Sequence, residues 1–112
     1  MVSRTASINR VFNAFLIRLE RSIRPERVIL FGSRTPGTRT KHRRTSDYDL
    51  LIVAKRFRGV PWIRRAPLVI RLWDIPVDLE PICLTPEEFE RRAKELSIIG
   101  EAVKHGVVVY PS

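Results

Sequence analysis

Apolar residues at Ile8, Val11, Phe12, Phe15, Leu16, Leu19 and Ile23 recur at three- and four-residue spacing, with Arg10, Arg18 and Arg21 between them. That period marks one face of an α-helix. Ser7 is suited to cap its start and Pro25 disfavours helical geometry at Arg24, so a helix is predicted from about Ser7 to Ile23. Val28 to Phe31 is a short continuous apolar run between Pro25 and Gly32, the pattern of a buried strand. Asp47 to Val53 reads as a second strand whose latter half, Leu50 to Val53, is wholly apolar. Val60 to Trp73 carries Trp62, Ile63, Leu68, Val69, Leu72 and Trp73, a helix that Pro67 starts or kinks. Pro76 to Ile82 is a third strand candidate. Thr85-Pro86-Glu87-Glu88 is a helix start, with Thr85 as N-cap, Pro86 at the first helical position and Glu88 closing a capping box. The helix it opens is predicted to run to about Gly106, with Phe89, Ala93, Leu96, Ile99 and Val103 on one side, and Val107 to Val109 forms a last short strand.

The order helix, strand, strand, helix, strand, helix, strand predicts an α/β (α+β) architecture, a mixed central sheet of about four strands with helices packed on it. The 112 residues, 44% of them hydrophobic, suit one domain over 1–112 with a core of its own. A single cysteine, Cys83, makes no internal disulfide, and no stretch reads as a secretion leader or a membrane span. A cytoplasmic protein without membrane contact is expected. Twenty-one Lys and Arg against twelve Asp and Glu give a net charge of +9, which favours anionic partners such as nucleotide phosphates, nucleic acid or an acidic protein surface.

Candidate chemistry concentrates around the first three strands. Asp47 and Asp49 stand two apart on a strand, so both side chains leave the same face with Cα atoms roughly 6–7 Å apart. Two carboxylates so placed repel and favour a cation between them, for which hard divalent ions such as Mg²⁺ are suited, although a strand end facing water accounts for an isolated Asp-x-Asp as well. Upstream, Phe31-Gly32-Ser33-Arg34 ends a strand in a glycine that lets the backbone approach a ligand and a serine that offers a hydroxyl and an amide. The same residues also fit an ordinary strand-to-turn break, with Arg34 either a phosphate ligand or a solvated side chain. Downstream, Val77-Asp78-Leu79-Glu80 alternates, which puts Asp78 and Glu80 on one face. Asp78, between two apolar residues, is costly to bury without a cation and is taken as a ligand; Glu80, beside Pro81, is taken as a rim residue. His42, His105, Cys83, Trp62 and Trp73 are read as structural or surface residues, the two tryptophans on a core-facing stripe.

Gly32-Ser33, thirteen further residues, Asp47-Tyr48-Asp49 and a later Asp78 between apolar residues resemble the nucleotidyltransferase superfamily of DNA polymerase beta, and in particular its minimal members. The likeness extends to the leading amphipathic helix, the GSRTPG stretch, the TPEEFERR helix start and the terminal Gly-Val-Val-Val-Tyr. It implies a nucleotidyltransferase fold in which Gly32 and Ser33 bind a nucleoside triphosphate, with Arg34 beside them. It further implies that Asp47 and Asp49 ligate two Mg²⁺ ions, for which Mn²⁺ substitutes, and that Asp78 ligates the catalytic ion and helps activate an acceptor hydroxyl. The reaction would be transfer of AMP from ATP with release of pyrophosphate. The implied acceptor is a tyrosine of a small helical HEPN-type partner, as in a toxin–antitoxin pair. Two other readings stand beside it: a binding module that neutralises a partner by covering it, and nucleic-acid contact through the basic Thr38–Thr45 insert, which lacks interleaved aromatics and so favours non-specific phosphate contact.

Overall fold

The computed structural model describes residues 6–32 and 48–111, with side chains from Arg10 onward. Residues 33–47 lie outside the described residues, and with them Ser33, Arg34, His42, Asp47 and the basic Thr38–Thr45 insert. Helix α1 (Ala6–Ser22) leads into β1 (Arg27–Phe31); β2 (Tyr48–Val53) follows, then a short 3₁₀ turn (Lys55–Phe57) and α2 (Trp62–Ile70). The chain continues through β3 (Leu79–Leu84), α3 (Pro86–Arg92), α4 (Ile98–His105) and β4 (Val107–Tyr110). The four strands are ordered β3-β2-β1-β4. β1 is antiparallel to both β2 and β4, and β2 is parallel to β3 through the α2 crossover, so the sheet is mixed as expected.

Every residue of β2 is buried, which is why its sequence is a near-continuous apolar run and not an alternation. Its two faces build two cores. On one, Val28, Leu50, Ile52 and Cys83 meet Phe12, Phe15 and Leu19 of α1, Ile23 just beyond it, and Val69 of α2. On the other, Ile29, Phe31, Leu51 and Leu84 meet Ile99 and Ala102 of α4. From Phe12 onward the α1 stripe is the predicted one, whereas Val11 is exposed and the Ile8 side chain lies outside the described residues. The helix starts at Ala6, so Ser7 lies inside it and not at the N-cap.

Pro67 neither starts nor ends α2; it sits within it. The predicted start of the third strand is early by three residues: 76–78 are bent or irregular, and the strand runs on through Cys83 to Leu84. The largest departure is at the long C-terminal helix, which is two helices. Apolar spacing continues across the break, but the chain leaves helical geometry after Arg92, Ser97 is extended, and Leu96 is 97% exposed. Gly100 permits the fold-back, because a Cβ there would lie 1.7 Å from the Glu95 carbonyl oxygen. The capping box is present: Glu88 N–H donates to Thr85 Oγ1 and Thr85 N–H donates to the Glu88 carboxylate, at 3.1 and 2.9 Å.

Glu88 also serves a second partner. Arg65, buried on the inner side of α2, donates to the Glu88 carboxylate at 2.6 Å and to the carbonyl oxygens of Val60 and Cys83 at 2.9 and 3.1 Å. One guanidinium thus ties α2, β3 and the start of α3 together with its donors satisfied, which is what makes its burial tolerable. The hydrogen bond from Arg65, followed by that from the Thr85 amide, holds the Glu88 carboxyl below its ordinary value of 4.5. A lowered folded value means that this stabilisation is complete above the ordinary value and is lost as the pH falls through the lowered one. Glu88→Gln should cost about 1–3 kcal/mol at neutral pH and flatten the acid limb of stability, as read from denaturant midpoints taken from neutral to acidic pH.

Candidate active site

One end of the sheet collects the end of β1 and the starts of β2 and β3. Asp49 is the second residue of β2, in register with Phe31 of β1 and with Glu80 of β3. It shares its face with Phe31, Leu51 and Ile82, the α4 side, and is only 5% exposed. A carboxylate at that depth belongs to a site or a network and not to a solvated strand end.

The backbone beside it is shaped to admit it. β1 ends at Phe31, and Gly32 turns the chain with φ of +81°, a left-handed conformation that side chains rarely adopt. A Cβ on Gly32 would lie 2.1 Å from Oδ2 of Asp49. Glycine is required twice over, once by the dihedral and once because the carboxylate occupies the space a side chain would need.

Tyr48 faces the other way. Its ring stacks on Phe12 at 5.5 Å and meets Trp73 edge-on at 5.2 Å, so the aromatic core of α1 anchors the residue between the two aspartates. Its amide donates to the Asp78 carbonyl oxygen at 2.9 Å, which brings Asp78 alongside the start of β2. Val77 and Leu79 pack into the α1 and α2 core; Glu80, in register with Asp49, shares its face, and Asp78 precedes β3 in the irregular 76–78 stretch. Both are exposed. Burial therefore does not distinguish Asp78 from Glu80; position does, Asp78 standing at the sheet end and Glu80 in register with Asp49.

Among the expected site residues, Gly32, Asp49 and Asp78 come together at this end, whereas Ser33, Arg34 and Asp47 lie outside the described residues. No group of three or more His, Cys, Asp or Glu able to hold a metal ion occurs among the described residues. Tyr48 and Trp73 were not read from sequence as part of the site. The signal was present for Tyr48, since the side chain between two aspartates on a strand must face the opposite core. Trp62, placed on the same core stripe as Trp73, is instead 55% exposed, because α2 turns Arg65 inward and stacks that guanidinium 5.5 Å from the Trp62 ring. His105 is surface-exposed near Glu101, and burial pushes the Cys83 thiol up to about 12, so that it carries no nucleophilic chemistry at neutral pH.

Residues 12–109 match the family model of the nucleotidyltransferase domain. The chain belongs to the nucleotidyltransferase domain family. Among solved structures, the crystal structure of a "putative nucleotidyltransferase" from Sulfolobus solfataricus superposes on this nucleotidyltransferase domain with a TM-score of 0.59. The two are 26% identical, the match covering 88% of this chain and 76% of the other. No curated protein matches. The family assignment agrees with the resemblance read from Gly32-Ser33 and Asp47-Tyr48-Asp49, and the neighbour shares the mixed-sheet fold of this nucleotidyltransferase domain. Among the described residues, no helix is long and apolar enough to cross a membrane.

Gly32→Ala tests the contact on which the site is built. A non-glycine residue in left-handed geometry costs roughly 1–2 kcal/mol, and here it must also displace Asp49. A lowered melting temperature together with weakened nucleotide binding is expected from thermal scans and calorimetry on one preparation.

Proposed function

We propose that this nucleotidyltransferase domain transfers a nucleoside monophosphate, AMP from ATP, to a hydroxyl on a macromolecular partner. The observation that carries the reading is the buried Asp49 carboxylate seated against the bare backbone of Gly32, with Asp78 at the head of the neighbouring strand. Glycine there gives a triphosphate close access to main-chain amides, to which Ser33 and Arg34 add a hydroxyl and a positive charge.

The donor set fits Mg²⁺. Asp49 and Asp78 provide carboxylate oxygens at one end of the sheet, hard ligands for a hard ion, and Asp47 is the third residue of the set. Asp47, Asp49 and Asp78 would hold divalent ions, which would supply Lewis-acid stabilisation of charge on the phosphate oxygens, with Mn²⁺ able to substitute for Mg²⁺. The residues of the chain do the remainder. Gly32 and Ser33 fix the triphosphate so that its leaving oxygen points away from the acceptor. Asp78 takes the proton as the acceptor oxygen bonds to the α-phosphorus, and the bond to the β-phosphate oxygen breaks with its electron pair leaving on pyrophosphate.

A net charge of +9 suits an acidic macromolecular acceptor. An acceptor that docks supplies the proximity and orientation that a small pocket would otherwise provide. The family resemblance points to a helical HEPN-type protein, with this chain as its antitoxin.

Calorimetry of ATP should show binding that requires Mg²⁺ or Mn²⁺. Asp49→Asn should weaken it at least roughly tenfold, a loss seen even for groups that only support a metal ligand, while the domain stays folded. Equal affinity with and without the ion would sink the assignment. With a cognate helical partner, ATP and Mg²⁺, mass spectrometry should find an adenylate on a partner hydroxyl, most readily a tyrosine, and none with Asp78→Asn. A partner neutralised equally by that variant, and carrying no adenylate, would make the chain a binding module.

A further inference from the structure

Helix α2 is built against the usual rule. It turns Arg65 inward and leaves Ile63 80% exposed and Ile70 45% exposed. Apart from the exposed Trp62, which stands off it, these positions form a row: Ile63, the half-buried Ala66, Pro67 and Ile70 stand at i, i+3, i+4 and i+7, on the side of the helix opposite the buried Arg65 and Val69. Single exposed apolar residues are ordinary, but a row with helical period is the pattern by which one helix packs on another.

The charge around the row is one-sided. Residues 55–73 contain six Lys and Arg and no acid. Lys55, Arg58 and Arg65 face Glu26, Glu87 and Glu88, whereas Arg56, Arg64 and Arg71 make no ion pair among the described residues. Arg64 and Arg71, seven apart, run along the border of the apolar row.

We propose that this outer face of α2 is a seat for an α-helix of a partner protein whose own apolar row is bordered by carboxylates. Three features select that occupant. Arg64 and Arg71 call for acidic groups at the spacing of two helical turns, about 10 Å. The row is tall at both ends and low in the middle, with Ile63 and Ile70 flanking Ala66 and Pro67, so it receives a knob from a facing helix. A second copy of this chain would set Arg64 and Arg71 against their equivalents, and like charges directly opposed oppose association.

The seat also has a direction. α2 returns along the sheet between the end of β2 and the start of β3, so Ile70 and Arg71 lie toward the end that carries Asp49 and Asp78. A helix laid on the row has one end near that site. Docking does not depend on catalysis, and the two are read separately, since the test below contains no nucleotide.

The probes are two synthetic helical peptides with the same leucine row, one bordered by glutamates and one by lysines, and vesicles of phosphatidylserine and phosphatidylcholine. Fluorescence anisotropy with the full chain should show binding of the glutamate peptide and at least about tenfold weaker binding of the lysine peptide. Ile63→Ser with Ile70→Ser, and separately Arg64→Glu with Arg71→Glu, should each lose about tenfold for the glutamate peptide, with circular dichroism and the melting temperature unchanged. The charge-reversed variant should gain affinity for the lysine peptide, which a generally sticky surface would not do. Equal binding of the two peptides, or no effect of the arginine variant, overturns the proposal. So does a preference for vesicles that requires Ile63 and Ile70, or a concentration-dependent dimer in sedimentation that Ile63→Ser abolishes.

Discussion

A strand buried on both faces admits a charged group only where the fold makes room and company for it, and that constraint organises this molecule. β2 has apolar neighbours along the whole of Leu50 to Val53, with α1 and α2 on one side and α4 on the other. Asp49, the first residue of β2 on the α4 side, is buried along with them. The core holds the aspartate's strand rigid, and the adjoining chain has to yield, which it does by placing a glycine in left-handed geometry at residue 32. Site and core are therefore not separable: the tight packing behind Asp49 fixes the position of its carboxylate.

The second constraint is the Arg65 and Glu88 pair. Burying a guanidinium is costly, and the fold offsets that cost by giving it a carboxylate and two carbonyl oxygens at once. The same glutamate closes the capping box of α3, so one acid sets where α3 begins and which way α2 is rotated. The rotation of α2 in turn decides what the helix shows to solvent. Arg65 inside implies Ile63 and Ile70 outside, and the apolar row is a consequence of the interior arrangement as much as a surface feature.

Much of this was legible in the sequence because local signals agreed with tertiary demand. The α1 stripe, the capping box at Thr85 and the two apolar strands each follow from periodicity or from a named hydrogen-bonding motif. What was not legible depended on partners distant in the chain. Apolar spacing ran unbroken from Phe89 to Val103, yet the chain breaks after Arg92, because Gly100 lets the Glu95 carbonyl fold onto it and Ile99 and Ala102 are needed on β1. Trp62 and Trp73 looked equivalent at helical spacing, and only the inward turn of Arg65 separates them. The site was partly legible: Gly32, Asp49 and Asp78 were read as a set, whereas the anchoring of Tyr48 by Phe12 and Trp73 needs the sheet to be assembled.

The separation of the two tryptophans gives the molecule a pair of built-in optical labels. Trp73 lies among Phe12, Phe15 and Tyr48 and donates its indole N–H to the Val77 carbonyl oxygen at 2.8 Å, so its emission is that of a ring held in an apolar wall just behind the carboxylates. Trp62 sits in water on the outer helix with a guanidinium over its face. A soluble quencher therefore reaches Trp62 far more readily than the half-buried Trp73, and the blue and red parts of a single emission spectrum belong to opposite sides of α2: the first to the ground beneath Asp49, the second to the helix surface.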